Sequence, residues 1–445
     1  MLERTIRIDF SKKRGRIKLL NGASLGPLFD IDPPLDLTAE YRELGLSAVR
    51  TRAVDMPLGC SPLVDMSRIF PDPGLDERFP ESYDFSELDK QLSAIRESGA
   101  AIILSLGERI DRYSYRAAAP HLPADKWARV AERILLRYTK GWAKGPKLPI
   151  KTVEIWPGAD LPRGFEGGVS AYREFYRIVA NHLKAAFPTL KVGGYSSGGF
   201  ASLNHYDATD EERGYLAFLE CFLSYIGKEA TRAPLDFFSW RCRAESAEEL
   251  ALHSNYARSY LAQYGFRRTP SVVSELRLVL PDGSPALSRS YPAALASALA
   301  VASDADIDMM LPLIAHPYSQ ANGVIGVDDC FVKHKYAAFG VLSAYGELLR
   351  HGTEAETTEN FRREIYSLAA VSERGGAVMV ATGTYSGTLS LEITGGGFSR
   401  YSIKGMLGGG PRGEGFSTSE SGIPLGRGRF TMKVGQGEIY LISLE

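Results

Sequence analysis

Cysteine is scarce in this sequence, and the four cysteines are far apart. They are Cys60, Cys221, Cys242 and Cys330, so no Cys-x-x-Cys pair occurs. A disulfide framework or a cysteine-based zinc site needs a denser or closer spacing. We therefore expect free, buried thiols in a reducing compartment, and the cytoplasm is the predicted location.

Long apolar runs and a secretion leader are missing as well. The chain starts MLERTIRIDFSKKRGR, with no apolar stretch after the charges and no small-residue cleavage site. No segment approaches the roughly 18–20 consecutive apolar residues of a membrane span. The sequence therefore predicts no signal peptide and no membrane partner.

Charge of one sign is not in excess, and the histidines form no metal motif. Lys plus Arg number 52 against 53 Asp plus Glu, a balance that favours neither nucleic acid nor an anionic membrane as partner. None of the seven histidines has His-x-x-x-His or His-Glu-x-x-His spacing. We predict no metal site and no cofactor, and no oligomeric state follows from the sequence.

What the sequence does contain is a repeated alternation over residues 19–352. Short apolar, β-branched runs occupy 20–28, 47–54, 101–106, 151–156, 190–195, 235–240, 271–278 and 308–314. A stretch of helical period follows each of them, at 38–44, 86–97, 125–138, 169–187, 215–226, 247–264, 292–302 and 335–349. Eight such units predict an α/β fold, a (β/α)₈ TIM barrel. An open doubly wound sheet is the alternative, but the first run leads into LGPLFDIDPP and not into a Gly-rich phosphate turn.

The hydrophobic pattern of the sequence changes after the barrel units. At 445 residues the chain exceeds what one core normally supports, so a second unit is expected. Short alternating runs separated by glycine clusters fill residues 353–445, which predicts a small C-terminal β-sandwich module. The alternating run at 5–10 predicts that the N-terminal strand, within 1–18, joins this module.

In a barrel the reacting groups lie at the C-terminal ends of the strands. From the second strand to the eighth, these ends hold Arg50, Arg52 and Asp55, then Glu108, Trp156 to Asp160, Tyr195, Trp240 and Arg241, Glu275 and Arg277, and His316 and Tyr318. Glu275 is the leading candidate, because a carboxylate at the exit of an apolar strand is costly unless it is paired or used. We predict a nucleophile or an electrostatic stabiliser of an oxocarbenium-like transition state. The alternative is an ion pair with Arg277 or Arg241.

Aromatic rings at the same C-terminal strand ends suit a sugar, since pyranose C–H groups stack on aromatic rings. Trp156, Tyr195, Trp240 and Tyr318 are therefore predicted to bind substrate, with ordinary rim packing as the alternative. His316 is grouped with them as a predicted substrate contact. Arg50, Arg52 and Arg241 either pair with acidic residues such as Glu275 and Glu108 or recognise an anionic sugar such as a uronate.

Several segments together resemble a known enzyme family. They are VRTRAVD (49–55), IFPD (69–72), YDFSELD (83–89), LGE (106–108), RYTKGWAKG (137–145), VEIW (153–156), YREFYRIVANHLKAAFPTLKVGG (172–194) and GVIGVDDCFVKHKYAAFGVL (323–342). Together they resemble clan A glycoside hydrolases, most closely family 39, which holds β-xylosidases and α-iduronidases. The resemblance covers nearly the whole chain and implies a glycan-directed function, with an oligosaccharide or glycoside as ligand.

The resemblance also implies site roles, and the chain departs from them at the fourth strand. The family ends that strand Trp-Asn-Glu-Pro, where Glu is the general acid/base, whereas this chain reads Trp156-Pro157-Gly158-Ala159. The seventh strand keeps the nucleophile position as Glu275. Arg52 and Arg241 stand at positions where the family has histidine.

Without the acid, a glycosidase loses general acid catalysis, which accelerates the reaction roughly 10²–10⁴-fold, unless the leaving group departs without a proton. Three carboxyls are candidate replacements, namely Asp160, Glu108 and Glu166. Each carboxyl also has a structural interpretation in place of the acid role. Asp160 orders its loop, Glu108 pairs with Arg50, Arg52 or Arg109, and Glu166 is solvated.

Three function hypotheses remain open at this point. The first is an atypical retaining glycosidase with Glu275 as nucleophile. The second is a catalytically inactive carbohydrate-binding pseudo-glycosidase. The third is a barrel lyase or transferase in which Arg and Tyr side chains move the proton.

Overall fold

The computed structural model describes residues 3–29, 34–51, 64–108, 117–280, 290–315, 324–327, 333–358, 364–406 and 417–445. The strands of these ranges are β1 (Glu3–Arg16), β2 (Leu28–Phe29), β3 (Leu35–Asp36), β4 (Ala48–Arg50), β5 (Ala101–Leu106), β6 (Thr152–Ile155), β7 (Lys191–Ser197), β8 (Phe237–Ala244), β9 (Ser271–Leu278), β10 (Met309–Pro312), β11 (Ile325–Val327), β12 (Lys333–Lys335), β13 (Thr353–Thr358), β14 (Ile365–Ser372), β15 (Gly375–Thr382), β16 (Gly387–Thr394), β17 (Arg400–Met406), β18 (Ser417–Pro424), β19 (Arg429–Val434) and β20 (Ile439–Leu444). The helices are α1 (Thr38–Leu44), α2 (Met66–Ile69), α3 (Ser86–Glu97), α4 (Ala124–Lys140), α5 (Gly168–Ala186), α6 (Asp210–Ile226), α7 (Ala247–Gln263), α8 (Tyr291–Asp304) and α9 (Ala337–His351). Within the described residues, no helix has both the length and the apolar character needed to span a membrane.

Strands β4 to β10 form one parallel sheet in chain order. Residues 19–24 bridge its two edges. Leu19 pairs in parallel with Met309 of β10, and Ala23 pairs in parallel with Val49 of β4. The Ala23 N–H donates to the Ala48 carbonyl at 2.8 Å, and the Gly22 N–H donates to the Met310 carbonyl at 3.1 Å. The predicted (β/α)₈ barrel is therefore confirmed as the fold class.

The barrel helices form because each carries one apolar face. In α4 the buried residues recur every three or four positions, including Trp127, Ala131, Leu135 and Tyr138. The helix ends at Gly141, which takes the left-handed conformation with φ 84° and donates back to the Arg137 carbonyl. Such helices surround the sheet and place its C-terminal strand ends at one end of the barrel.

The barrel interior changes from apolar to polar along the strands. One cluster of inward side chains comprises Ala48, Ile103, Phe237, Val272 and Leu311. Two positions after four of these residues lie the polar side chains Arg50, Ser105, Ser239 and Ser274, whereas Leu313 follows Leu311. The side-chain period of two in a strand produces this layering.

A buried ion pair fills the polar layer. The Arg50 guanidinium donates from Nε to Glu154 Oε2 at 2.7 Å, and both side chains are almost fully buried. The hydroxyl groups of Ser105 and Ser239 also donate to the Glu154 carboxylate. Arg50 therefore pairs with neither Glu108 nor Glu275, the partners expected for it as the alternative to sugar recognition, because Glu154 lies in the same polar layer and accepts its hydrogen bonds.

The C-terminal part of the chain forms a nine-stranded mixed sheet. Its order is β18-β17-β20-β15-β14-β13-β1-β16-β19. Strand β1 runs antiparallel to β13 and parallel to β16, so the N-terminal segment lies inside this sheet. The β-rich C-terminal module predicted as part of the fold class is present, and the division at residues 352 and 353 stays a prediction.

Alternate residues of the central strands of this sheet face two different cores. In β15, Val378 and Val380 belong to the interior of the β-rich module. Met379 and Ala381 belong to the same apolar cluster as the barrel helices. The sheet is therefore buried on both faces here, and the barrel and the module share a continuous core.

Candidate active site

Glu275 lies near the C-terminal end of β9 and is only 2% exposed. Its ladder partner on β8 is Arg241, at a point where the register between the two strands shifts. The Arg277 Nε donates to Glu275 Oε1 at 2.7 Å. This contact offsets the cost of burying the carboxylate charge. The structure therefore contains the ion pair expected as the alternative for Glu275, in its Arg277 form.

A cavity of about 310 Å³ opens beside this ion pair. The ends of β8 and β9 line it with three arginines, namely Arg241, Arg243 and Arg277, and with Glu275. Tyr215, from the first turns of α6, also lines the cavity. The cavity thus combines one buried carboxylate with several guanidinium groups.

The turn after β6 brings position 158 close to this cavity. Gly158 has φ 77°, a conformation that side-chain-bearing residues rarely adopt. A Cβ atom placed on it would lie 2.7 Å from Leu161 Cδ1 and 3.3 Å from Arg241 Nη2. An added side chain would therefore meet a guanidinium group, and the turn would have to shift to accommodate it.

Asp160 orders the loops at the ends of β6 and β7. Its Oδ2 accepts hydrogen bonds from Ser197 Oγ at 2.8 Å and from the Gly198 N–H at 2.9 Å. Burial raises the pKa of Asp160 to about 6, and these two hydrogen bonds and the nearby Arg241 charge offset only part of that rise. The placement corresponds to the loop-ordering alternative for this residue.

Glu108 follows β5 and binds a histidine. Its carboxylate accepts from the backbone N–H of His121 at 3.1 Å and contacts the ring Nδ1 at 2.6 Å. The His121 Nε2 contacts the Phe70 carbonyl at 2.9 Å. Burial lowers the pKa of His121, but the hydrogen bond to Glu108 and its charge outweigh burial, so the pKa is raised.

Of the three arginines expected as partners of Glu108, the structure tests Arg50 alone. Arg50 does not pair with it, and Arg52 and Arg109 lie outside the described residues. Glu166 is exposed in the loop before α5, as expected for a solvated carboxylate. Neither Glu108 nor Glu166 lines the cavity beside Glu275.

The three predicted aromatic contacts in the described residues are fully buried. Trp156 donates from Nε1 to the Gly164 carbonyl at 2.8 Å, and Trp240 donates from Nε1 to Ser271 Oγ at 2.9 Å. The Tyr195 ring packs against Phe218 and Phe222, with centroid separations of 5.2 and 5.1 Å. These positions correspond to the packing alternative and offer no ring face to a sugar. Arg52, Asp55, His316 and Tyr318 lie outside the described residues.

Sequence reasoning missed three residues that matter here. Glu154 carries the same signal as Glu275, a carboxylate inside an apolar strand run, and could have been found. Arg243 follows Arg241 at the strand period of two, which is a weaker signal. Tyr215 lies on a helix far away in the sequence, and only the fold brings it to the cavity.

Comparisons with known proteins connect this fold to glycosidases. No family model matches the sequence, and no curated protein matches it. A glucosidase from Croceicoccus marinus matches with a TM-score of 0.79 at 19% identity, covering 100% of this chain and 99% of that one. A family 51 α-L-arabinofuranosidase from Bifidobacterium longum matches with a TM-score of 0.70 at 11% identity, covering 99% of both chains. A GH39 β-xylosidase from Caulobacter crescentus matches with a TM-score of 0.67 at 14% identity, covering 99% and 100%. The resemblance to family 39 is confirmed at the level of the fold, which is what likeness at these identities shows.

Proposed function

We propose that the chain transfers or hydrolyses glycosyl groups at the cavity beside Glu275, with Glu275 as nucleophile and no acid at position 158. One observation carries the proposal. Glu275 is a buried carboxylate at the C-terminal end of a barrel strand, where it borders a cavity of about 310 Å³ and binds Arg277. Barrel enzymes carry their chemistry at this end.

The chemistry of glycosyl transfer suits this carboxylate. In a retaining mechanism a carboxylate oxygen attacks the anomeric carbon and forms a covalent glycosyl–enzyme ester. In our proposal Glu275 supplies that oxygen, and the hydrogen bond from Arg277 to Oε1 helps to hold its carboxylate in place. The likeness in fold to a glucosidase, an arabinofuranosidase and a β-xylosidase supports a glycan as ligand.

The replacement acids expected from the sequence are not assigned that role in our proposal. Asp160 is held by Ser197 and Gly198, and Glu108 is held by His121. We assign Asp160 a positioning role at the loop after β7 and Glu108 a structural role after β5. The proposed reaction therefore favours substrates whose leaving group needs no proton.

Activated substrates test this proposal. We expect slow release of dinitrophenolate from dinitrophenyl glucosides, xylosides or arabinofuranosides, with a glycosyl–enzyme adduct on Glu275 visible by intact mass. The Glu275→Ala variant should lose about a thousandfold or more of this rate, since an entire covalent step is removed. Azide should restore release in Glu275→Ala by taking the place of the missing carboxylate.

The exposed Glu166 supplies the matched control, because Glu166→Gln removes a carboxylate that does not line the cavity. Its rate should equal that of the unmodified protein. Measurable glycan binding without any release across the substrate panel would instead support the non-catalytic binding protein. The Glu275–Arg277 ion pair is the observation that favours this second function, since such a pair can be purely structural.

A further inference from the structure

We propose that the cavity beside Glu275 holds an oxyanion, a carboxylate or a phosphate group, as the leaving group and acceptor of the glycosyl residue. The substrate class would then be glycosyl esters or glycosyl phosphates. This inference rests on the proposed role of Glu275 as nucleophile and adds the chemistry of the second reactant.

Arg241 lies beside the proposed nucleophile at the cavity. It is the ladder neighbour of Glu275 across β8 and β9, so nucleophile and guanidinium lie side by side at the cavity. Its Nη2 lies 3.3 Å from the point where a side chain at position 158 would start. Its Nε approaches Ser196 Oγ at 3.5 Å, and Ser196 Oγ hydrogen-bonds Ser274 Oγ at 2.8 Å. The guanidinium is thus placed by the barrel strands themselves.

The cavity lining contains three arginines and three glutamates, on different elements. Arg243 follows on the same strand, is exposed, and forms no ion pair with any residue in the described ranges. The acidic side chains of the cavity are each engaged. Glu211 accepts from the Tyr215 hydroxyl, and Glu212 accepts from the Thr209 N–H at the start of α6. Glu275 accepts from Arg277. Glu211 and Glu212 lie on α6, whereas Arg241 and Arg243 lie on β8, so a ligand that binds at β8 meets guanidinium groups.

A guanidinium group stabilises negative charge but supplies no proton. Arginine remains protonated at all pH values that proteins tolerate, so it cannot give a proton to a departing alkoxide. It can donate paired hydrogen bonds to a carboxylate or phosphate and stabilise negative charge as that charge develops. In the described part of the chain, the carboxyls that line the cavity are already hydrogen-bonded, so its guanidinium groups favour a leaving group that departs as a stable anion.

The reaction balances without any proton transfer. The Glu275 carboxylate oxygen forms a bond to the anomeric carbon, and the bond from that carbon to the ester or phosphate oxygen breaks. The electron pair goes to the leaving oxygen, which departs as an oxyanion held by Arg241. In the second step an oxyanion attacks the anomeric carbon, and the carboxylate of Glu275 is released unchanged.

Water is a poorer acceptor in this cavity for the same reason. A water molecule must lose a proton when it attacks, and that proton needs a general base. An oxyanion already carries the negative charge and needs none. We therefore expect the glycosyl–enzyme to react faster with phosphate or a carboxylate than with water.

The test follows the fate of the glycosyl–enzyme formed from a dinitrophenyl glycoside. Sodium phosphate and sodium acetate are titrated separately at constant ionic strength, and products are separated by mass spectrometry. We expect saturable acceleration by at least one anion, with a glycosyl phosphate or a glycosyl acetate as product. In Arg241→Ala the half-saturating anion concentration should rise about 10- to 100-fold, as expected for loss of a charge-assisted hydrogen bond.

Three controls test whether an effect of Arg241→Ala is specific to this guanidinium group. Arg241→Lys keeps the charge and should recover part of the anion saturation. Arg96→Ala removes an exposed arginine of α3 and should behave as the unmodified protein. Thermal unfolding of each variant checks that the fold is retained.

The possible outcomes separate the two proposals. A glycosyl–enzyme that water discharges at the same rate with and without both anions would overturn the oxyanion inference and leave Glu275 as nucleophile. Equal acceleration by anions in the unmodified protein and in Arg241→Ala would overturn the role of Arg241. If no glycosyl–enzyme adduct forms on Glu275, the proposed function itself is contradicted. Saturation by phosphate alone identifies glycosyl phosphates, and saturation by acetate alone identifies glycosyl esters.

Discussion

Three carboxylates near the C-terminal end of the barrel have different neighbours. In each case the neighbour limits what the carboxylate can do chemically. Glu275 is held by a guanidinium, Glu108 by a histidine, and Asp160 by a hydroxyl and a backbone N–H. Two donors that are both neutral compensate a buried charge less than a cation does. Burial raises the pKa of Asp160 to about 6, and its two neutral donors and the Arg241 charge offset only part of that rise.

Asp160 makes the stability of the protein depend on pH. Its folded-state pKa, about 6, lies above the ordinary value of 3.8, so the folded chain binds this proton more tightly than the unfolded chain. The contribution is fully present below the unfolded pKa and is lost as pH rises through 6. Asp160→Asn keeps an oxygen acceptor for Ser197 and Gly198 without the charge.

We therefore expect Asp160→Asn to unfold at a higher urea concentration than the unmodified protein at pH 8. The difference should shrink as pH falls through 6. Urea unfolding at several pH values measures it. A constant difference across that range would show that Asp160 is not the titrating group.

At the scale of elements, strand β8 contributes side chains to three environments, namely the apolar cluster, the polar layer and the cavity. Its inward positions run from Phe237 in the apolar cluster through Ser239 in the polar layer to Arg241 at the cavity. The period of two puts all three on the same face. The strand thus leads from packed core to charged cavity within five positions of chain.

Helix α6 contributes Glu211, Glu212 and Tyr215 to the cavity lining, and a capping box stabilises its first turn. The Thr209 side chain accepts from the Glu212 N–H, and the Glu212 carboxylate accepts from the Thr209 N–H. Thr209→Ala should lower the free energy of unfolding by about 0.5–2 kcal/mol because the cap is lost. Urea unfolding measures this change.

Thr209→Ser is the matched control for this cap, since serine keeps the hydroxyl acceptor and is an equally good cap. It should retain most of the stability that alanine loses. Equal losses in both variants would assign the effect to the threonine methyl group and not to the capping hydrogen bond.

At the scale of the whole molecule, the shared core couples the barrel to the β-rich module. Met379 lies on β15 of the nine-stranded sheet, yet it belongs to the apolar cluster of the barrel. The four tryptophans, at positions 127, 142, 156 and 240, all belong to the barrel part of the chain. Tryptophan fluorescence therefore reports the barrel, whereas Met379→Ala perturbs the module.

We expect Met379→Ala to lower the free energy of unfolding by about 2–5 kcal/mol, as for other buried large-to-small changes. Fluorescence and far-ultraviolet circular dichroism should shift together. Met432→Ala, on the half-buried edge strand β19, should cost about 1 kcal/mol or less. A loss in circular dichroism with unchanged tryptophan fluorescence would show that the two parts unfold separately.

The sequence by itself determined the barrel, the β-rich texture of the C-terminal part and the prominence of Glu275. Periods of two and 3.6 are local properties, and they specify which residues of an element face the same way. The apolar run around Glu275 is local too, so its cost could be recognised without the fold. For the same reason, Glu154 could have been recognised and was not.

Only the tertiary structure decided which partner each charged side chain takes. Arg50 reaches Glu154 across β5, and Arg241 lies beside both Glu275 and the turn at Gly158. It also decided that Trp156, Tyr195 and Trp240 are packed under helices and side chains of the barrel wall. These facts depend on strand stagger and on helices that cover the strands, and both arise only when the barrel closes.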